Sequence, residues 1–366
     1  MHYGLHSPSE QCRKGNSALD ETLFREFTTG DSTTYRADLD VLVGHNDSTA
    51  FLRTVPDQTV RLVVSSPPYN IGKPYERKRA LSEYLEWQTE VLEQCVRVLM
   101  NGGSLCWQVG NYVDSGEIVP LDALFYSILK DRLGLKLRNR IIWQFEHGLH
   151  AKNRLSGRYE VILWFTKGDD YLFNLDPIRV PQKYPGKLHH KGPRRGTPSG
   201  NPLGKNPGDL WSVLERDWDA QIWDIPNVKW NHPEKTGHPA QFPIELVERL
   251  VLALTNPGEL VLDPFSGAGS ALLAAVLHDR RAIGVDIERS YVDIALTRLR
   301  ALRNGTLKRR ALGTAKYEPN GCGKLTRRPA EWDAEVKAGS DPVPALVSRL
   351  PGIAESVPTD YGETSL

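Results

Sequence analysis

The chain lacks the features that mark membrane, secreted and metal-binding proteins. It has no run of about 18 uncharged apolar residues, so no membrane-spanning helix is predicted. Residues 1–16 show no apolar segment between a basic start and a small-residue cleavage site, which argues against a signal peptide. The four cysteines, Cys12, Cys95, Cys106 and Cys322, have neither metal-ligand nor disulfide-framework spacing. We therefore expect a cytoplasmic protein without a bound metal.

Acidic residues are missing from one stretch of an otherwise balanced sequence. The net charge is +1, yet Arg179–Lys205 contains seven Lys or Arg and no acid. A second block, Arg298–Arg328, contains ten Lys or Arg against the single Glu318. Two basic blocks on a nearly neutral chain predict local contacts with a polyanion. A solvated loop and a solvated tail are the open alternatives.

Strand and helix patterns alternate over most of the chain. Apolar runs rich in β-branched residues predict strands, and apolar residues at helical spacing predict helices. The predicted strands are 61–65, 104–109, 136–145, 159–166, 260–262 and 281–285. The predicted helices are 81–99, 119–133, 243–251, 271–277 and 290–302. This alternation predicts an α/β fold with a mostly parallel sheet covered by helices on both faces.

One long irregular insert interrupts the alternation. Between residues 167 and 239, Pro and Gly are dense, and Trp211, Trp218, Trp223 and Trp230 are interleaved with them. Such a segment is typically disordered or functional, and its aromatic residues, which can form a small satellite core, argue against disorder. The predicted organisation is an extension at 1–34, two halves of one domain at 35–168 and 232–303, an insert at 169–231 and a basic tail at 304–366.

A glycine-rich turn follows the predicted strand 260–262, in the segment Val261-Leu-Asp-Pro-Phe-Ser-Gly-Ala-Gly-Ser270. Gly267 and Gly269 allow a sharp turn and a close approach to a ligand. No Gly-Lys-Ser/Thr follows, which argues against a phosphate-binding P-loop. Asp286 ends the next predicted strand, where it can accept hydrogen bonds from both hydroxyls of a ribose. A simple packing turn is the alternative.

A second motif, Val63-Val-Ser-Ser-Pro-Pro-Tyr-Asn70, also follows a predicted strand. The two prolines stiffen the backbone and have no N–H group, so nearby carbonyls remain available as acceptors. Ser66 and the carbonyl of Pro67 can each accept one hydrogen of a flat amine while Tyr69 stacks on its ring. An ordinary turn is the alternative here as well.

Together these motifs resemble those of the bacterial DNA amino-methyltransferases, which modify N4 of cytosine or N6 of adenine. The tetrapeptide Ser66–Tyr69 precedes the loop Asp263–Gly269, an order similar to that of the permuted β group, whose insert is the target-recognition region. The resemblance implies a Rossmann-like, doubly wound sheet of the class I methyltransferase type and S-adenosylmethionine as cofactor. It further implies double-stranded DNA as partner and a restriction-modification setting with a separately encoded endonuclease. Ser65 stands where cytosine-N4 members usually have threonine, so the target base stays open.

The resemblance and the charge pattern also indicate particular site residues. The implied catalytic residues are Ser66, Pro67, Pro68 and Tyr69. The implied cofactor-binding residues are Asp47, His238, Pro239, Phe242, Asp263, Pro264, Phe265, Gly267, Gly269 and Asp286. The DNA contacts expected in the basic insert are Lys183, Lys187, Lys191, Arg194 and Arg195.

Other functions remain open from the sequence. An N-methyltransferase that acts on RNA or on a protein glutamine shares the Pro-Pro-Tyr logic, but such enzymes usually place the cofactor loop first. A non-catalytic DNA-binding module on the same fold would be expected to have lost one motif, and both are intact. A nicotinamide oxidoreductase has no support, because no His/Arg/Asp or Tyr-Lys arrangement follows the glycine turn. The oligomeric state is not predicted.

Overall fold

The computed structural model describes residues 27–73, 76–145, 151–180, 184, 186–211, 228 and 232–312. All of them belong to the first of the two units of the chain, Met1–Lys316. Within these residues, no helix has the length and apolar character needed to cross a membrane. Cys12, Cys322, Lys183 and three of the tryptophans of the insert lie outside the described residues.

A nine-stranded sheet forms the centre of the described structure, with the strand order β1-β2-β11-β10-β3-β4-β8-β7-β9. The strands are β1 (Thr29–Ser32), β2 (Val41–His45), β3 (Val60–Ser65), β4 (Leu99–Val109), β5 (Asn111–Asp114), β6 (Glu117–Pro120), β7 (Lys136–Gln144), β8 (Tyr159–Thr166), β9 (Leu210–Trp211), β10 (Leu260–Asp263) and β11 (Arg281–Asp286). The first six strands of this order, from β1 to β4, are parallel to one another. Strand β8 is antiparallel to both of its neighbours, β4 and β7. The hairpin β5–β6 is separate from the large sheet.

Helices cover both faces of this sheet. They are α1 (Ser48–Leu52), α2 (Leu81–Val98), α3 (Leu121–Ser127), α4 (Ile244–Leu254), α5 (Ser270–Leu277) and α6 (Arg289–Arg303). One apolar core contains side chains of α4, α5 and α6, and the other contains side chains of α1, α2 and α3. Alternate residues of a strand enter opposite cores, as Val41 and Leu42 of β2 do. The predicted α/β class, with a mostly parallel and doubly wound sheet, is confirmed.

The sheet brings the two sequence motifs together. Strand β10 pairs in parallel with β3 through Val261 opposite Leu62 and Leu262 opposite Val63. The two strands that precede the motifs are therefore neighbours in the sheet. Because parallel strands end at the same edge, the loops that follow β3 and β10 open on the same side of the sheet.

Several elements differ from the sequence prediction. Thr29–Ser32, predicted as part of an extension, forms the edge strand β1, which its pairing with β2 holds in place despite its polar sequence. The helix predicted at 119–133 begins only at Leu121, because the preceding residues pair in the hairpin β5–β6, and it ends in a π-helical turn at Ile128–Arg132.

Described residues of the insert and of the tail make contacts that the sequence patterns did not indicate. Leu210–Trp211 pairs with β7 at the edge of the large sheet, and Trp211 packs in the main core, not in a satellite core. The predicted tail is attached at its start, where Arg310 Nη1 lies 2.6 Å from Glu245 Oε2 of α4. Both contacts are long-range, so local sequence patterns do not contain them.

Gly269 provides a test of how the glycine turn joins α6. Its φ is +75°, and a Cβ there would lie 2.8 Å from the Cβ of Ala295. We expect Gly269→Ala to lower the free energy of unfolding by about 1–3 kcal/mol, because alanine strains the left-handed backbone and displaces α6. Urea unfolding measures the change. Gly258→Ala is the matched control, since Gly258 has φ +80° and open space around it. Equal losses in the two variants would contradict a role for the contact with α6.

Candidate active site

A cavity of about 440 Å³ opens where the loops after β2, β3, β10 and β11 meet. Eleven residues predicted from the sequence line it, namely Asp47, Ser66, Pro67, Pro68, Tyr69, His238, Pro239, Phe242, Phe265, Gly267 and Asp286. The structure thus gathers both motifs around one space.

Three predicted cofactor residues, Asp263, Pro264 and Gly269, are not part of the cavity wall. The carboxylate of Asp263 is buried and accepts hydrogen bonds from Ser65 Oγ at 2.6 Å and from the backbone N–H of Phe265 at 3.1 Å. The carbonyl of Pro264 accepts a hydrogen bond from Ser48 Oγ at 2.6 Å. Asp263 and Pro264 therefore stabilise the shape of the loop without lining the cavity.

The glycine turn is closed around the carboxylate of Asp286. Asp286 Oδ2 accepts a hydrogen bond from Gly267 N–H at 2.9 Å, and Oδ1 accepts one from Glu288 N–H at 2.9 Å. Burial raises the pKa of Asp286, and these backbone hydrogen bonds oppose the rise. Gly267 has φ +47°, and a Cβ there would lie 2.8 Å from His238 Nε2. The turn therefore needs glycine at this position.

A neutral imidazole forms another part of the wall. The His238 ring lies 4.3 Å from the Tyr291 ring, centroid to centroid, in an edge-to-face arrangement. Burial, with the nearby charges of Lys235 and Arg298, lowers the pKa of His238 to about 4. Its ring is therefore uncharged at neutral pH.

The Ser-Pro-Pro-Tyr segment presents a line of polar atoms to the cavity. Ser66 Oγ lies 3.0 Å from Tyr69 Oη, and Tyr69 Oη donates a hydrogen bond to Glu160 Oε2 at 3.2 Å. The carbonyl of Pro68 accepts a hydrogen bond from Tyr84 Oη at 2.7 Å. None of the described residues donates to the carbonyl of Pro67.

Asn70 anchors the loop that follows the Ser-Pro-Pro-Tyr segment through hydrogen bonds to Arg79 and Glu76. It has φ +60° and is buried, and its amide exchanges two hydrogen bonds with the backbone of Arg79 at 2.7 and 3.0 Å. Its backbone N–H donates to Glu76 at 2.7 Å. The Arg79 guanidinium lies 4.7 Å from the centre of the Trp87 ring. Two charged groups, on Glu76 and Arg79, are thereby fixed at the cavity wall.

Glu160 and Gln108 are site residues that the sequence prediction missed. Gln108 Nε2 donates a hydrogen bond to Glu160 Oε2 at 2.6 Å, and both side chains line the cavity. Withdrawal from water raises the pKa of Glu160, and the hydrogen bonds from Gln108 and Tyr69 oppose this rise. The one available signal was a lone acid at the start of the apolar strand Tyr159–Thr166.

The basic insert forms a hairpin in its described part. The backbones of Val180 and Lys205 exchange hydrogen bonds of 3.1 and 2.9 Å at its base, and Leu188 bridges Pro198 farther along. The predicted DNA contacts Lys187, Lys191, Arg194 and Arg195 are all exposed on this hairpin. A buried residue of the insert, Val228, lines the cavity.

The family model for DNA methylases matches residues 60–297, which span both motifs, the insert and the cavity loops after β3, β10 and β11.

The chain belongs to this DNA methylase family.

Relatives with similar sequences are named as methyltransferases. The Type II methyltransferase M.BglII of Bacillus subtilis is 51% identical over 69% of this chain and 66% of its own length. The Type II methyltransferase M.ScaI of Streptomyces caespitosus is 34% identical over 72% of this chain and 82% of its own length. The PvuII DNA methyltransferase structure, cytosine-N4-specific, has a TM-score of 0.52 and 19% identity over 77% of this chain and 95% of that one. The structural likeness supports the methylase fold.

Asp263, at the start of the glycine turn, should make the stability of the protein depend on pH. Burial raises the pKa of Asp263 to about 7, well above the ordinary aspartate range, against the hydrogen bond from Ser65. The native state therefore holds a proton that the unfolded chain releases, so Asp263 makes the protein less stable as the pH rises from about 4 to about 7. Asp263→Asn keeps an Oδ1 acceptor and removes this titration. We expect its stability relative to wild type to rise across this range, by as much as about 4 kcal/mol.

Denaturant unfolding at pH 4.5, 6.0 and 7.5 measures this difference. Asp170→Asn, at an exposed position, is the matched control and should follow the wild type at each pH. A constant difference between Asp263→Asn and wild type at the three pH values would contradict a buried, proton-holding Asp263.

Proposed function

We propose that the chain transfers the methyl group of S-adenosylmethionine to the exocyclic amino nitrogen of a flipped base in DNA, either N4 of cytosine or N6 of adenine. One observation carries the proposal. The Ser-Pro-Pro-Tyr segment and the glycine turn lie on paired strands and line the same cavity. An amine and a methyl donor must approach to about 3–3.5 Å to react, and a shared cavity allows this.

The wall formed by the glycine turn suits S-adenosylmethionine, which supplies a sulfonium methyl group when bound. Asp286 and Glu288 bring carboxylates for ribose hydroxyls, and Phe265 brings an apolar surface. His238 is neutral, so it does not repel the cationic sulfonium. Asp47, the N-cap of α1, adds another carboxylate from the loop after β2.

The opposite wall suits the target base. An exocyclic amine is a poor nucleophile, because its lone pair is delocalised into the ring. Hydrogen bonds from the amine to Ser66 Oγ and to the Pro67 carbonyl favour a tetrahedral nitrogen and localise that lone pair. Tyr69 provides a ring for stacking, which is worth about 1–3 kcal/mol per base. The base must leave the duplex to reach this wall, at a cost of a few kcal/mol.

The rival functions are less well supported. A non-catalytic module would not need the intact polar line from Ser66 to Glu160. An enzyme acting on RNA or on a protein glutamine does not account for a family match that runs through both motifs. Several relatives bear the name Type II methyltransferase. We therefore propose that the chain acts on DNA in the cytoplasm, in a restriction-modification system whose endonuclease is encoded separately.

The insert, residues 169–231, is proposed as the target-recognition region. Its described hairpin has no acid between Arg179 and Lys205, and its base is joined by two backbone hydrogen bonds. Arginine can read guanine through two hydrogen bonds, whereas lysine more often meets a phosphate. Arg194 and Arg195 are therefore the proposed base or phosphate contacts, with Lys187 and Lys191 beside them. Lys183 stays a proposal from the sequence alone.

Ser66→Ala tests the chemistry. We expect it to lower kcat by about 10–100-fold while cofactor affinity is kept, because a hydrogen bond to a developing positive charge is worth about 1.5–3 kcal/mol. The protein is incubated with unmethylated double-stranded DNA and labelled S-adenosylmethionine, and the nucleosides are separated and weighed by mass spectrometry. The mass and retention of the labelled nucleoside also identify the methylated base.

Ser82→Ala, at an exposed position on α2, is the matched control and should keep wild-type turnover. Wild-type turnover in Ser66→Ala would refute the role of this hydroxyl. Absence of any methylated base with the wild-type protein would refute the proposed function itself.

Arg194 and Arg195 test the recognition proposal. Replacing both with Ala should weaken DNA binding and reduce the slope of log affinity against log salt by about one for each lost phosphate contact. If one of them reads a base, the loss is about 1–3 kcal/mol and preference at one position relaxes. The matched control is Arg53→Ala combined with Lys130→Ala, two exposed cations elsewhere. Equal affinity, slope and site preference in both double variants would show the hairpin to be a solvated loop.

A further inference from the structure

Methyl transfer to an amine leaves a proton to be removed from the nitrogen. The residues assigned so far to the cofactor and to the base do not include a final acceptor for this proton. In the reaction an N–C bond forms, and the C–S bond breaks with its electron pair remaining on sulfur. The nitrogen then carries one proton too many. Ser66 Oγ accepts a hydrogen bond from the amine in the proposed arrangement, but a serine hydroxyl is too weak a base to keep that proton.

A continuous line of hydrogen bonds leads from Ser66 to a carboxylate. Ser66 Oγ lies 3.0 Å from Tyr69 Oη, and Tyr69 Oη lies 3.2 Å from Glu160 Oε2. Since the Tyr69 hydroxyl donates to the carboxylate, its oxygen is left to accept the proton of Ser66. The lone pairs of Ser66 are then available to the amine. Every proton in this line points toward Glu160.

The surroundings of Glu160 suit a carboxylate that accepts a proton. Gln108 Nε2 also donates to Oε2, at 2.6 Å, so two donors meet the same oxygen. From β7, the residue opposite Glu160 is Trp143, which brings an uncharged indole. The other charged side chains of the cavity wall are Glu76, Arg77 and Arg79 in the segment after Tyr69, Asp47 in the loop after β2, Asp286 at the end of β11 and Glu288 after it.

We propose that Glu160 is the final proton acceptor of the reaction, reached through Ser66 and Tyr69. The proton leaves the methylated nitrogen for Ser66 Oγ, the proton of Ser66 moves to Tyr69 Oη, and the proton of Tyr69 moves to Glu160 Oε2. The nitrogen becomes neutral and the carboxylate becomes a carboxylic acid, so charge and atoms balance. Because Glu160 acts through Tyr69 and does not contact the base in this arrangement, we call it a positioning residue. The proposal rests on the function proposed above.

Partial withdrawal from water supports this role. It raises the pKa of Glu160 from its usual value, so the carboxylate is a better base than an exposed one. The acceptor works only when ionised. The rate of methyl transfer should therefore fall as the pH drops through the raised pKa, and it should level off at higher pH.

The test uses the full chain with unmethylated double-stranded DNA and S-adenosylmethionine, in single-turnover measurements between pH 5 and 9. We expect Glu160→Gln to lower the rate by about 10²–10⁴-fold and to remove the acid limb of the pH profile. Glu160→Asp keeps a carboxylate, so it should recover part of the rate and retain an acid limb. Glu90→Gln, at an exposed position on α2, is the matched control and should behave as wild type.

Tyr69→Phe cuts the line while keeping the ring that stacks on the base. If the relay is correct, it lowers the rate as Glu160→Gln does, and the double variant is no slower than either single variant. Calorimetric affinity for S-adenosylmethionine reports whether each variant is folded. If Glu160→Gln does not fold, the Tyr69→Phe rate and the pH profile of Glu160→Asp decide the question.

Three results would overturn the relay. They are an unchanged rate and pH profile in Glu160→Gln, additive losses in the double variant, and a loss confined to DNA affinity. The last would mean that Glu160 holds the base instead. If the wild-type protein methylates DNA and Glu160→Gln does so at the same rate, the relay is refuted and the proposed function stands. If the wild-type protein methylates no DNA, the proposed function is refuted.

Discussion

The parallel pairing of β3 with β10 is the constraint on which the rest of the site depends. Leu62 faces Val261 and Val63 faces Leu262, although almost two hundred residues separate these strands in sequence. The pairing ends in a hydrogen bond of 2.6 Å between Ser65 Oγ and Asp263 Oδ1. A shift of one residue in this register would turn each side chain to the opposite face and separate the two walls of the cavity.

Hydrogen bonds to backbone carbonyls then fix the loops that follow these strands. Ser48 Oγ holds the carbonyl of Pro264 at 2.6 Å, and Arg298 Nη1 holds that of Ala268 at 2.6 Å. On the other wall Tyr84 holds the carbonyl of Pro68 at 2.7 Å. Reactive groups need support of this kind, because a small misplacement is costly when catalysis depends on positioning.

The elements predicted well from the sequence carry their signal locally. The strands before the two motifs are short apolar runs bounded by Pro or Gly, so β3 and β10 could be predicted. Thr29–Ser32 has no apolar pattern and is a strand only because β2 lies beside it. Glu160 belongs to the site because β8 runs antiparallel to β4, which brings it to Gln108. A register between distant strands cannot be derived from one sequence.

The same sheet also supports the proposed recognition region. After the hairpin, Leu210–Trp211 returns to pair with β7, and its Trp211 lies opposite Trp143, which lines the cavity. On the other side of the hairpin, the backbone N–H of Asn174 donates to the carbonyl of Ala253 in α4 at 2.7 Å. Both sides of the hairpin are therefore anchored, one to α4 and the other to β7, whose Trp143 lines the cavity. If the hairpin holds DNA, these attachments limit how the DNA can move relative to the cavity. Contacts between the hairpin and neighbouring nucleotides would then offset part of the entropy cost of positioning one base in the cavity.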